Sequence, residues 1–125
     1  MGTLSPEHTK LATWQNSDLV VWSLDEGELA RSPALPPAAT QGPITWSLDG
    51  EALIYLQTDD NCFPFGKSYV VRLDLPELKP ELLIESADPT FTSVTWDAPS
   101  QIKLSDKDGK VWNYNFVTQD LQPVP

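Results

Sequence analysis

The chain has 125 residues and a mass of 13.9 kDa, which is enough for one domain. Eight basic against eighteen acidic side chains leave a formal charge of -10, without the Lys/Arg clusters that nucleic acid or an anionic membrane surface requires. A single cysteine, Cys62, excludes an intrachain disulfide framework and a Cys-rich zinc site, and twelve prolines disfavour long helices.

Strand signals follow one another in short pieces. Leu11–Trp14 stops at Asn16-Ser17-Asp18, and Leu19–Leu24 stops at Asp25-Glu26-Gly27. Ile44–Trp46 leads through Asp49-Gly50 into Ala52–Leu56, and Tyr69–Leu73 halts near Pro76. Leu82–Ile84 ends at Asp88-Pro89, and Thr92–Trp96 ends at Pro99. Ile102–Leu104 turns at Asp106-Lys107-Asp108-Gly109 into Val111–Phe116, which alternates apolar and polar residues. These pieces are rich in β-branched and aromatic residues and are bounded by turn formers, and no window keeps a helical period. The expected class is all-β: a sandwich, a barrel or a propeller.

Internal repetition favours the propeller. Ser5–Trp14 aligns with Ser47–Leu56 at an offset of 42, and Trp96 follows Trp46 at an offset of 50. In step with this, Val21-Trp22-Ser23-Leu24-Asp25 aligns with Val70-Val71-Arg72-Leu73-Asp74 at an offset of 49, and Asn113–Val117 follows 43 residues later. A period of that length holds four strands, the content of one blade. The repeat units are read as 3–37, 43–87 and 91–125 of one all-β domain.

The segment Ile44-Thr45-Trp46-Ser47-Leu48-Asp49-Gly50-Glu51-Ala52-Leu53-Ile54-Tyr55 resembles the "WSPDG…IAF" signature of TolB-type, WD-repeat-like β-propeller blades. Ser5-Pro6-Glu7-His8-Thr9-Lys10-Leu11-Ala12 is similar, with Glu-His where the family has Asp-Gly. The third copy, Trp96-Asp97-Ala98-Pro99-Ser100, departs most. The resemblance implies three four-stranded antiparallel blades, the first incomplete because only a few residues precede its motif. It specifies a fold and no activity. It also implies that Trp46 packs between blades, and Trp14, Trp22 and Trp96 are expected to be buried.

Closed propellers have about four to eight blades, so three form an arc that is expected to expose two apolar blade faces. A second chain about a two-fold axis would complete a six-bladed ring, which makes a homodimer the expected state. The alternatives are a part of a longer propeller, or a compact β-sandwich or small barrel. Five tryptophans also fit a carbohydrate-binding sandwich.

The chemistry-bearing residues are sparse. His8, the only histidine, occupies the motif's glycine position and reads as an exposed turn residue. Cys62 lies beside Asp59 and Asp60, which oppose thiolate formation. Asp59 and Asp60 are adjacent, so they point to opposite sides of an extended chain and cannot face one another across a cleft. Registering Gly109 on a calcium-loop glycine puts Leu104 and Asn115 at ligand positions, so Asp106–Gly109 reads as a hairpin turn. No phosphate-binding loop and no nucleophile elbow occurs. No catalytic residue, metal ligand or cofactor is therefore assigned, and a non-enzymatic interaction module is expected. Its alternative is an accessory propeller segment of a larger enzyme.

The segment Thr58–Lys67 is far longer than its counterparts in the other units, and the resemblance implies that it shares a face of the disc with the proline-rich Ser32–Pro43 crossover. Asp59, Asp60, Phe63, Phe65, Pro36 and Pro37 are the candidate protein-binding residues there. The sequence start carries no basic segment and apolar core of a signal peptide, so a cytoplasmic location is expected. A periplasmic one would fit a chain trimmed from a precursor.

Overall fold

The structure, a computed structural model, describes residues 2–16, 18–33, 40–58 and 67–124. Twelve strands form three separate four-stranded antiparallel sheets, each from consecutive strands. The first holds β1 (Gly2–Leu4), β2 (Lys10–Gln15), β3 (Asp18–Ser23) and β4 (Gly27–Pro33). The second holds β5 (Thr40–Trp46), β6 (Ala52–Thr58), β7 (Ser68–Asp74) and β8 (Lys79–Ser86). The third holds β9 (Phe91–Ala98), β10 (Gln101–Asp106), β11 (Val111–Asn115) and β12 (Leu121–Pro123). These are propeller blades, and strands grouped by sheet in this way exclude the sandwich and the barrel. The first blade's innermost strand is present but short, three residues where β5 has seven.

The core lies between the sheets. Ala12, Leu19 and Val21 of the first sheet pack with Trp46, Leu53, Tyr55, Val71 and Leu73 of the second. On the other side, Ala52, Ile54, Leu56, Val70 and Ile84 pack with Phe91, Trp96, Ile102, Leu104 and Tyr114 of the third. Side chains of a strand alternate between faces, so β6 sends odd residues to one neighbour and even residues to the other. All seven of its residues are buried. This explains the uninterrupted apolar run of Leu53–Leu56. Trp46 sits between blades as expected, its indole N–H donating to the Thr3 carbonyl at 2.8 Å. Trp96 is buried with it, whereas Trp14 and Trp22 are half-buried.

The repeated turns are built alike. Ser47 Oγ accepts from the Ala52 N–H and donates to Asp49, whose carboxylate also accepts from the Glu51 N–H. Gly50 takes φ of 74° so that its N–H reaches the Ser47 carbonyl at 3.1 Å. In the first sheet Ser5 Oγ accepts from the Lys10 N–H, and His8 takes the glycine's place at φ 60°, its N–H on the Ser5 carbonyl at 2.9 Å. A left-handed non-glycine residue costs roughly 1–2 kcal/mol. Glycine recovers part of that but loses more chain entropy on folding. His8→Gly is therefore expected to stabilise the fold by about 0.5–1 kcal/mol, measured by urea unfolding.

The hairpin between β10 and β11 forms where the spacing placed it. Asp106 is buried, with one carboxylate oxygen accepting from the Asp108 and Lys110 N–H groups, each at 2.9 Å, and the other from the Trp112 indole at 3.0 Å. The Trp112 hydrogen bond, with the two backbone donors, holds the carboxyl below the usual aspartate range. A folded-state value below the unfolded one means that its stabilisation is complete above about pH 4 and is lost as pH falls through the folded value. Asp106→Asn is expected to cost about 1–3 kcal/mol at neutral pH and less in acid, so the two unfolding curves converge below about pH 4. Removing buried apolar groups on either side of β6, as in Leu53→Ala or Ile54→Ala, is expected to cost about 2–5 kcal/mol each by urea titration.

Candidate functional site

Antiparallel strand order sorts the loops onto two ends of the disc segment. The turns joining first to second and third to fourth strands of each sheet lie at one end. The turns joining second to third strands, and the crossovers between sheets, lie at the other. The candidate residues Asp59, Asp60, Phe63, Phe65, Pro36 and Pro37 lie outside the described residues, as does Cys62. His8 is an exposed turn residue between β1 and β2. Among the described residues, no group of three or more His, Cys, Asp or Glu side chains is placed to hold a metal ion. No helix there is long and apolar enough to cross a membrane.

Three recesses among the described residues open at the turn end. A cleft of about 380 Å³ opens between the second and third sheets, lined by Leu48, Asp49, Glu51, Arg72, Trp96 and Pro99 among others. A second, of about 360 Å³, lies between the first and second sheets and is lined by Lys10, Leu29, Glu51, Leu75 and Pro76. The β7–β8 turn therefore stands between two clefts, and Leu75 and Glu51 line both. A third hollow, of about 570 Å³, follows that turn from Asp74 to Glu81.

Arg72 organises the first cleft. Alternation along β7 turns it toward the third sheet, where its guanidinium lies 5.2 Å from the Trp96 ring centre and 4.9 Å from that of Phe116. Its Nε donates to Asp74 at 3.0 Å. Two ring faces and a carboxylate hold the cation in a partly desolvated position. The Ser47 hydroxyl and the Glu51 N–H, with Arg72 nearby, keep Asp49 below the usual aspartate range, so it is ionised at neutral pH. Trp96 is 5% exposed and its indole nitrogen is buried without an acceptor among the described residues. A positive charge at a central strand position gave no hint of this stack, because the partner aromatics lie 24 and 44 residues further on.

The arc also has two outer faces, and they differ. On the first sheet Leu4, Leu11 and Trp22 stand opposite one another in one cross-strand row on the face turned away from the second sheet. Leu4 is 49% exposed. The next rows add Thr13, which accepts from the Trp22 indole at 3.2 Å, and Arg31, which bridges Asp18, Glu28 and Gln15. The outer face of the third sheet carries Ser93, Thr95, Lys103, Ser105 and Asn113. Asn113 Oδ1 is buried there without a donor among the described residues. The expectation of two apolar end faces thus holds for one end only: the third sheet ends in a polar face, as a capping repeat does.

No protein family matches the chain by sequence, and no curated protein does. Solved structures match the fold. An oligogalacturonate lyase in complex with manganese is 14% identical, with a TM-score of 0.72 over 99% of this chain and 39% of its own. TolB from Acinetobacter baumannii is 12% identical, with a TM-score of 0.60 over 98% of this chain and 31% of its own. At these identities the likeness shows the propeller architecture alone, and the chain spans about a third to two-fifths of the length of such neighbours. Arg72→Leu is expected to cost about 1–2 kcal/mol in stability and to shift tryptophan emission, read by urea titration and fluorescence.

Proposed function

We propose that the chain is a non-enzymatic protein-interaction module of propeller blades, which pairs with a second copy and presents a loop face to another protein. The observation that carries this reading is the arc itself. The second sheet is covered on both sides, whereas the first and third each have one side without a neighbouring sheet. An arc acts through its open faces.

Pairing is favoured at the first sheet. Its row of Leu4, Leu11 and Trp22 is self-complementary about a two-fold axis, which removes apolar surface from water. A six-bladed ring would instead press this row against Thr95, Lys103 and Asn113 of the third sheet. Each polar group left unpaired there costs about 1–3 kcal/mol. The expected species is a dimer near twice 13.9 kDa. Light scattering coupled to size exclusion measures it. Leu4→Asp alters an exposed position and is expected to give a folded monomer, whereas Thr95→Arg on the third sheet leaves the dimer intact. A ring would reverse the Thr95→Arg result, and a wild-type monomer at all concentrations would remove the pairing.

The share of its neighbours' length that the chain spans favours a second reading, in which the three blades are one segment of a larger propeller. That reading predicts a monomer that exposes the first-sheet face.

A further inference from the structure

We infer that the turn end of the arc, around Leu75–Pro76, is the docking site for an extended basic segment of a partner protein that carries leucine-like residues between its lysines or arginines. This rests on the reading of the chain as a protein-binding module and names both the face and the occupant. It does not depend on pairing.

Two clefts meet at the Leu75 turn, and both have exposed apolar walls. Leu48 is 58% exposed in one, and Leu29 is 44% exposed in the other. Pro76 and Pro99 add rigid apolar surface beside them. Exposed apolar groups of this size, gathered at one end of a small domain, mark an interaction surface. The walls come from turns fixed by their own hydrogen bonds: the Leu75 N–H donates to the Glu51 carbonyl at 2.9 Å, and the Leu78 N–H to the Asp74 carbonyl at 2.7 Å. The shape is therefore set before any partner arrives.

Charge selects the partner. Asp49, Glu51, Asp74, Glu77 and Glu81 border the clefts and the hollow beside them. Of the cations lining these sites, Lys10 is engaged by Glu7 at 3.2 Å and Glu51 at 4.0 Å, and Arg72 by Asp74 and two rings. Lys79 remains. The border holds these five carboxylates against three cations and the whole chain carries -10, so an acidic occupant is repelled, and Glu77 and Glu81 stand outside the ion pairs just named, where a basic occupant meets them. An extended segment sets alternate side chains on opposite sides. It can thus place apolar groups in the clefts on either side of Leu75 while its cations meet the carboxylates.

The test titrates the full chain into three fluorescein-labelled octapeptides of alternating sequence, Lys–Leu, Lys–Ser and Glu–Leu, followed by anisotropy. The Lys–Leu peptide is expected to bind, with affinity falling as salt rises from about 50 to 300 mM. The Lys–Ser peptide is expected to bind at least about tenfold more weakly, and the Glu–Leu peptide not at all. The exposed-site variants Leu29→Ser/Leu48→Ser and Glu51→Gln/Glu77→Gln are each expected to weaken Lys–Leu binding at least about fivefold with unchanged circular dichroism, while Glu85→Gln on β8 changes nothing. Equal binding of Lys–Leu and Lys–Ser, or indifference to both double variants, overturns the inference. The Leu4→Asp monomer should bind like wild type. A dimer that binds no peptide sinks the docking site and leaves the pairing, and a monomer that binds does the opposite.

Discussion

A four-stranded sheet whose two faces are both apolar is stable only when something covers both, and the second sheet of this chain is such a sheet. Every residue of β6 is buried, with Leu53 and Tyr55 turned to one neighbour and Ile54 and Leu56 to the other. The neighbouring blades are thus required by the middle one, and the two inter-sheet cores hold nearly all the buried apolar side chains. Small all-β chains have little interior to spare. Here the interior lies between blades rather than within one, so the stability of each blade is inseparable from its contact with the next.

That arrangement was legible where burial writes a clear pattern and illegible where it does not. The run Leu53–Leu56 and the alternation of Val111–Phe116 mark strands because one or both faces are dry. The outer strand β4, with Glu28, Leu29 and Arg31 facing water, carries no such signature, and β1 and β12 are too short to show a period. The repeat filled these gaps, because Ser5 and Ser47 each accept from the backbone five residues on and impose the same turn. His8 fits the rule through its left-handed backbone, which the motif's glycine position already implied. Trp22 was expected to be buried and is half-exposed, since its face of the first sheet has no blade against it.

The site was less legible than the fold. The sequence directed attention to the segment Thr58–Lys67 and to the proline-rich Ser32–Pro43, most of whose residues lie outside the described ones. The clefts among the described residues lie at the turn end, formed by turns that look ordinary one at a time. Leu48 is one apolar residue in a polar turn, and Leu75 merely precedes a proline. They become a surface only because antiparallel order carries the turns of three sheets to one side. Arg72 was hidden for a similar reason: its stack on Trp96 and Phe116 joins two sheets and has no local sequence signal.

The difference between the two ends of the arc follows from the same rule that makes the middle. Each sheet turns one face toward the preceding blade, and on all three sheets that face carries large apolar groups: Leu11 and Trp22, then Leu53 and Tyr55, then Ile102 and Leu104. The opposite face is apolar only where a blade follows. On the third sheet it turns to Thr95, Lys103 and Gln122, which face water. The face that a following blade would cover is therefore polar on the third sheet, while the face that a preceding blade would cover keeps the apolar pattern on the first, in the row Leu4–Leu11–Trp22. The two ends of the arc thus differ in chemistry, apolar in the Leu4–Leu11–Trp22 row of the first sheet and polar on the outer face of the third.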